Sequence, residues 1–198
     1  MNSYSNISKL SNYTLIQSTN YFVDANVWLY ALQGDDLLEW WSKMYSDFFY
    51  KIVESDIEPR PKILLPSLLF SEILNTYLKL IALPEYKTIN GIPENASFQF
   101  KKDYRPTIHY KDSYEKLCDD ILSLKSLLIF LDDKSIITNP PLYLTPAVDP
   151  FDFNDYFYYQ ICREFRKDNS VTILTNDSDF QIKDIPIITL NKTLLRLS

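Results

Sequence analysis

Short apolar runs alternate along this chain with stretches in which apolar residues recur every three or four positions. Tyr21-Phe22-Val23 is a β-prone run that stops at Asp24, and Val27-Trp28-Leu29-Tyr30 resumes after Ala25-Asn26. A buried strand entering a helix reads this way, with Asn26 as a candidate cap. Over 35–55, Leu37, Leu38, Trp41, Tyr45, Phe48, Phe49 and Ile52 keep helical spacing. Lys62-Ile63-Leu64-Leu65 predicts a second strand, closed by Pro66, and Ser67 to Leu78 a helix with one acid, Glu72, among its apolar residues. From Pro84 to about Asp112 prolines, Gly91 and mixed polar residues remove any period, which predicts an irregular insertion. Helical spacing returns over 113–131, with Leu117, Ile121, Leu124 and Leu128 as its core face. Leu142-Tyr143-Leu144 reads as a short strand or extended link, Tyr156 to Lys167 as a helix, and Val171 to Thr175 as the clearest strand. Ile185 to Leu190 predicts a last strand, with a short helix after it.

Strands and helices in this order predict an α/β fold with a mainly parallel central sheet covered by helices on both faces. Residues 1–19 form a polar N-terminal segment, and 20–198 a single domain carrying the insertion at about 84–112. In open parallel sheets, ligands bind beyond the carboxyl ends of the strands, so the residues just past those ends become the candidates for chemistry.

Composition narrows that chemistry. The chain has 198 residues, 46% hydrophobic and 23% charged, the balance of a folded globular protein. Only two glycines occur, Gly34 and Gly91, which excludes glycine-rich phosphate cradles, dinucleotide fingerprints and glycine-based nucleophile elbows. With His109 as the single histidine and Cys118 and Cys162 as the two cysteines, neither a multi-histidine nor a four-thiolate zinc site can form. The two cysteines make no disulfide framework, which favours a reducing compartment. The polar opening carries no secretory signal, and no apolar run approaches the roughly 18 residues of a membrane helix. A cytoplasmic protein with no membrane partner is expected.

Net charge is −6, from 26 acids and 20 bases. An acidic protein is a poor partner for phosphates unless its acids are gathered around cations that reverse the local field. Asp24 follows the first of these strands, and Asp177 lies two residues past Thr175, where the clearest strand ends. Asp155 starts the helix before that strand, and Glu72 lies in the first turns of the helix after Pro66. Parallel topology carries all four towards one sheet edge. Two carboxylates about 4–5 Å apart repel by roughly 3–4 kcal/mol at an effective dielectric near 20, so protons or a cation must offset them. All-oxygen ligands select Mg²⁺ or Mn²⁺, ions that activate water for phosphodiester hydrolysis.

Phe22-Val23-Asp24-Ala25-Asn26-Val27, Ser71-Glu72-Ile73, Asn154-Asp155 and Thr175-Asn176-Asp177-Ser178-Asp179-Phe180 together resemble the motifs of PIN domains. That family includes the VapC-type toxins of toxin–antitoxin pairs. The resemblance implies a PIN-like fold and an Mg²⁺- or Mn²⁺-dependent ribonuclease acting on RNA, with Asp24, Glu72, Asp155 and Asp177 as the metal-binding and catalytic set. It also implies that Asn26 orients Asp24 and that Thr175 and Asp179 are accessory. An antitoxin protein and a second copy of the chain are the partners it implies. Asp152, one turn before Asp155, is a further accessory candidate, though a surface position suits it better. Lys101, Lys102 and Arg105, with Lys111 nearby, are candidates for holding RNA phosphates.

Each of these residues also has a plainer explanation. Asp24 and Asp155 can cap helices, Glu72 can be a solvated helix residue, and Asn176 to Asp179 can be a turn. The basic group can be a solvated loop. A catalytically inert PIN-like module that binds RNA or protein is therefore the alternative function. A phosphohydrolase acting on a small phosphate ester is a more distant one.

Overall fold

A computed structural model describes residues 6–34, 38–131 and 153–198. Asp152, the Leu142-Tyr143-Leu144 run and the approach to Phe153 lie outside the described residues. Six strands form one sheet, every pairing parallel: β1 (Ile7–Lys9), β2 (Thr19–Val23), β3 (Lys62–Pro66), β4 (Leu128–Leu131), β5 (Ser170–Leu174) and β6 (Ile187–Thr189). Their spatial order is β1-β6-β5-β2-β3-β4. From β2 the chain steps one way to β3 and β4, then returns to β2's other side with β5 and continues to β6. The order of winding therefore reverses between β2 and β5. That reversal is the switch point at which open parallel sheets leave a crevice at their carboxyl edge.

Helices α1 (Ala25–Gln33) and α2 (Trp40–Val53) connect β2 to β3, and α6 (Phe153–Phe165) precedes β5. Tyr21 and Phe22 are fully buried neighbours on β2, so they point to opposite faces of the sheet. Tyr21 meets Phe48 of α2, ring centroids 6.1 Å apart, and Phe22 meets Tyr158 of α6 at 5.2 Å. Helices thus cover both faces, as right-handed crossovers running in opposite directions from one central strand require. The predicted fold class holds: α/β with a parallel central sheet. Its core rests on the near-continuous apolar runs of β2, β3 and β5, the pattern of strands buried on both sides.

The chain divides into two compact units, Met1–Ser67 with Leu127–Ser198, and Leu68–Ser126. The sheet belongs to the first. The second starts within α3 (Ser67–Tyr77) and holds α4 (Leu83–Ile89) and α5 (Ile108–Ser123). The helix of α3 does not stop near Leu78, because a wider turn over Leu78–Ala82, closed by Leu83 N–H donating to Leu78 O, leads into α4. That turn comes just before Pro84, whose ring clashes with the carbonyl four residues back in a regular α-helix. Gly91, at φ 62°, ends α4. Its N–H donates to Thr88 O at 3.2 Å, and Ile92 N–H donates to Lys87 O at 2.9 Å, the paired closure that a left-handed residue allows. Leu78, Ala82 and Tyr104 centre a small core against which Tyr86, Phe98, Phe100 and Tyr110 pack.

Several element boundaries differ from the sequence reading. The polar segment 1–19 contains strand β1, which pairs with β6 from Ile7↔Ile187 to Lys9↔Thr189. Residues 84–112 are helical at both ends. The helix expected over 113–131 begins at Ile108, ends at Ser123, and is followed after a turn by β4. Leu117, Ile121 and Leu128 are buried as expected, and Leu124 only half so. Asn26 is not the cap of α1: that position belongs to Asp24, and Asn26 is the second helical residue.

Candidate functional site at the switch point of the sheet

Strands β2 and β5 run in register from Thr19↔Ser170 to Val23↔Leu174. The ladder continues one step further, with Asp24 N–H donating to Leu174 O at 3.0 Å. That bond sets Asp24 beside Thr175, the next residue on β5's side. Thr175 N–H in turn donates to Ile188 O at 3.2 Å, fastening it to β6.

Asp24 occupies the N-cap position of α1, and its carbonyl accepts from Val27 and Trp28 N–H at 3.0 and 3.1 Å. Its carboxylate makes no capping bond. A carboxylate in that position ordinarily accepts from the second or third helical N–H. Here Oδ2 instead accepts the Thr175 hydroxyl at 2.8 Å and the Asn26 amide at 3.4 Å. The residue is 6% exposed. A buried charge is costly unless it is hydrogen-bonded or paired, and these two donors offset part of that cost.

Thr175 is fully buried. Its single hydroxyl proton goes to Asp24, and the same oxygen accepts Asp177 N–H at 2.8 Å. One side chain thus joins the Asp24 carboxylate to the backbone that carries Asp177. Asp177 Oδ1 accepts Asp179 N–H at 2.9 Å, which folds the loop back on itself. Beyond it, buried Phe180 anchors the loop. Asn191 caps α7 (Lys192–Leu195), accepting Thr193 N–H at 2.8 Å, and its amide donates to Asn176 O at 2.8 Å.

Two tyrosines that the sequence reading did not single out complete the surroundings. The Tyr45 phenol of α2 accepts Leu190 N–H at 2.6 Å and lies 3.1 Å from both Thr175 O and Asn176 Oδ1, to one of which it donates. Burial pushes it up to about 12, against bonds from Thr189 and Leu190 that pull it down. Tyr30 packs 6.0 Å from Tyr45 and 5.4 Å from Trp41. Its phenol is raised first by burial and then by the charges of both Asp24 and Asp177, while a bond with Asn176 acts the other way. Neither tyrosine was legible as a site residue, because each falls on the apolar face of its helix pattern; the only signal is that a buried Tyr needs a partner for its hydroxyl.

Asp155 is the third residue of α6 and is half-buried. The helix ends just before β5 begins, at the amino edge of the sheet, so its first turn lies towards the carboxyl edge. One turn after Asp155, Tyr158 packs on Phe22, two residues before Asp24. Glu72 belongs to the other compact unit and is the sixth residue of α3. Lys101 and Lys102 are exposed on a single wide turn, Phe100–Tyr104, which Arg105 follows. Among the described residues no three or more His, Cys, Asp or Glu side chains gather closely enough to hold a metal ion. The observed assembly is Asp24, Thr175 and Asp177. Asp24 and Asp177 carry the oxygen chemistry that Mg²⁺ takes, an ion that keeps several waters in its shell.

The fold and site define an α/β protein with an acidic, hydrogen-bonded cluster at the switch point of a parallel sheet. Compared with protein-family models, curated proteins and solved structures, the chain gives no match in any of the three. Among the described residues no helix is long and apolar enough to cross a membrane.

Proposed function

We propose that this chain is a PIN-type, Mg²⁺- or Mn²⁺-dependent ribonuclease whose metal-binding crevice is built on Asp24 and Asp177. The observation that carries the reading is the buried Asp24 carboxylate, which stands at a helix N-terminus without capping it and is joined through Thr175 to the loop of Asp177. A bound ion would supply charge neutralisation and make a water easier to deprotonate for attack on a phosphodiester. Asp24 and Asp177 provide its oxygens. Thr175 and Asn26 fix the orientation of Asp24, and the phenols of Tyr30 and Tyr45, raised by burial, stay protonated at neutral pH and add no charge. Phosphoryl transfer depends on positioning and charge stabilisation more than on covalent help, which suits a crevice without a nucleophile. The sequence resemblance adds Glu72 and Asp155 to the set, with Asp179 accessory. It also adds an RNA substrate, an antitoxin protein and a second copy of the chain as partners; the cytoplasm as working compartment comes from the composition.

Calorimetric titration of Mn²⁺ into the wild type and into an Asp24→Asn, Asp177→Asn double variant tests this. Binding by the wild type that disappears in the folded variant, together with loss of RNA cleavage, is the expected outcome. Equal binding by both proteins rejects the site. Glu72→Gln and Asp155→Asn, titrated separately, read the contribution of each remaining carboxylate.

A second reading is an inert PIN-like binding module. It is favoured by the engagement of both carboxylates within the fold, Asp24 Oδ2 by Thr175 and Asp177 Oδ1 by Asp179 N–H. A folded wild type that takes up no Mn²⁺ and yet binds RNA selects this reading.

A further inference from the structure

The second compact unit carries a groove of its own. It opens at the start of α5, with a volume of about 520 Å³, and is lined among others by Arg105, Ile108, Tyr110, Lys111, Tyr114 and Glu115. Sites that take small ligands span roughly 300–1,000 Å³, so the groove has room for a nucleotide.

Its walls combine two chemistries. Tyr110 and Tyr114 stack one helical turn apart, centroids 6.5 Å and planes 25° apart, and Tyr114 and Ile108 are exposed, Ile108 to 70%. The Arg105 guanidinium sits 5.4 Å from the centre of the Phe100 ring, which holds it in place without neutralising it. Lys111 meets Glu115 at 3.7 Å, but both side chains are more than 60% exposed, so that pair is weak and exchangeable. From Lys101 to Lys111 the chain has four bases and one acid. The acid, Asp103, accepts Gln99 N–H at 2.7 Å.

We infer that this groove binds a nucleotide of single-stranded RNA, its base against the Tyr110–Tyr114 pair and its phosphates on Arg105 and Lys111. Stacking on aromatic faces with flanking cations is how sequence-tolerant single-strand binding works, and duplex RNA hides the base faces that such a pair needs. The inference deepens the proposed function, on which it rests for the class of substrate. Its binding step involves no metal.

Anisotropy of a labelled oligouridine of about 12 nucleotides, titrated with the full chain in EDTA over a salt series, separates the two ideas. The wild type is expected to bind. Arg105→Gln with Lys111→Gln weakens binding about tenfold or more and flattens the logarithmic salt slope by about 1.4, or roughly 0.7 for each phosphate contact. Tyr114→Ala weakens binding about tenfold with the slope unchanged, and Tyr114→Phe retains it. Absence of wild-type binding, or equal binding by these folded variants, overturns the inference. So does competition by duplex RNA or oligoglutamate as strong as that of unlabelled oligouridine, the latter pointing to an acidic protein. Mn²⁺ uptake without RNA binding rejects this inference alone, and RNA binding without Mn²⁺ uptake rejects only the metal site.

Discussion

At the scale of single residues, Thr175 carries more of the crevice than either carboxylate does alone. Its hydroxyl satisfies a buried charge on one side and a backbone N–H on the other. Thr175→Val keeps the volume and removes both bonds, leaving Asp24 with one fewer donor and Asp177 N–H without its acceptor. Groups left unpaired in this way typically cost about 1–3 kcal/mol each. We expect a lowered denaturation midpoint and weaker Mn²⁺ uptake in Thr175→Val, both restored in Thr175→Ser; a valine variant with wild-type values for both contradicts the bridging role. Asp24 and Asp177 were legible because each lies within two residues of the end of an apolar run that reads as a strand, whereas Thr175 entered only through the resemblance to PIN-domain motifs. Tyr45 was not legible, since its hydroxyl makes its bonds with residues some 130–145 positions away, and no local pattern encodes that.

At the scale of elements, the central strands were readable and the edge strands were not. Strands β2, β3 and β5 are each built on a short apolar run, whereas β1 has three residues and only Ile7 of them is buried. Strand β4 lies at the other edge, with Phe130 56% exposed, and its leucines continue the spacing of α5, so periodicity alone cannot tell strand from helix there. Small as it is, β1 covers the edge of β6. Asn6 extends the pairing by accepting Ile187 N–H at 2.9 Å, and its amide donates to Ile182 O at 3.0 Å. Removing residues 1–12 bares the buried Ile187 and Ile188 edge, and an open apolar edge invites pairing between copies. The expected result is a lower thermal midpoint with concentration-dependent association in sedimentation. A monomer of undiminished stability shows that β1 is dispensable.

At the scale of the whole molecule, charge is unevenly divided. Leu68–Ser126 holds eight bases and eight acids, so the entire net charge of −6 belongs to the remainder of the chain. Overall acidity therefore says little about whether the second unit meets RNA. Alkaline pH acts on buried phenols and on a buried thiol. Burial raises the phenols of Tyr21, Tyr30 and Tyr45 above their ordinary value of 10.0 and the Cys162 thiol above 9.0. Each group is neutral when protonated and keeps its proton in the folded chain after the unfolded chain has released it. The unfolded state then binds fewer protons, so stability falls with rising pH. The contribution is intact below about pH 9, begins to fade with the thiol, and is lost progressively from about pH 10 as the phenols follow. Thermal midpoints measured from neutral pH upwards are expected to decline above about pH 9–10, with tyrosinate absorbance from the buried phenols appearing together with unfolding. Cys162, fully buried, is expected to resist a thiol reagent until that same transition, while half-exposed Cys118 reacts in the native protein. A native chain that reached pH 11 with an unchanged midpoint and both thiols modified would mean that water already reaches the core around Cys162.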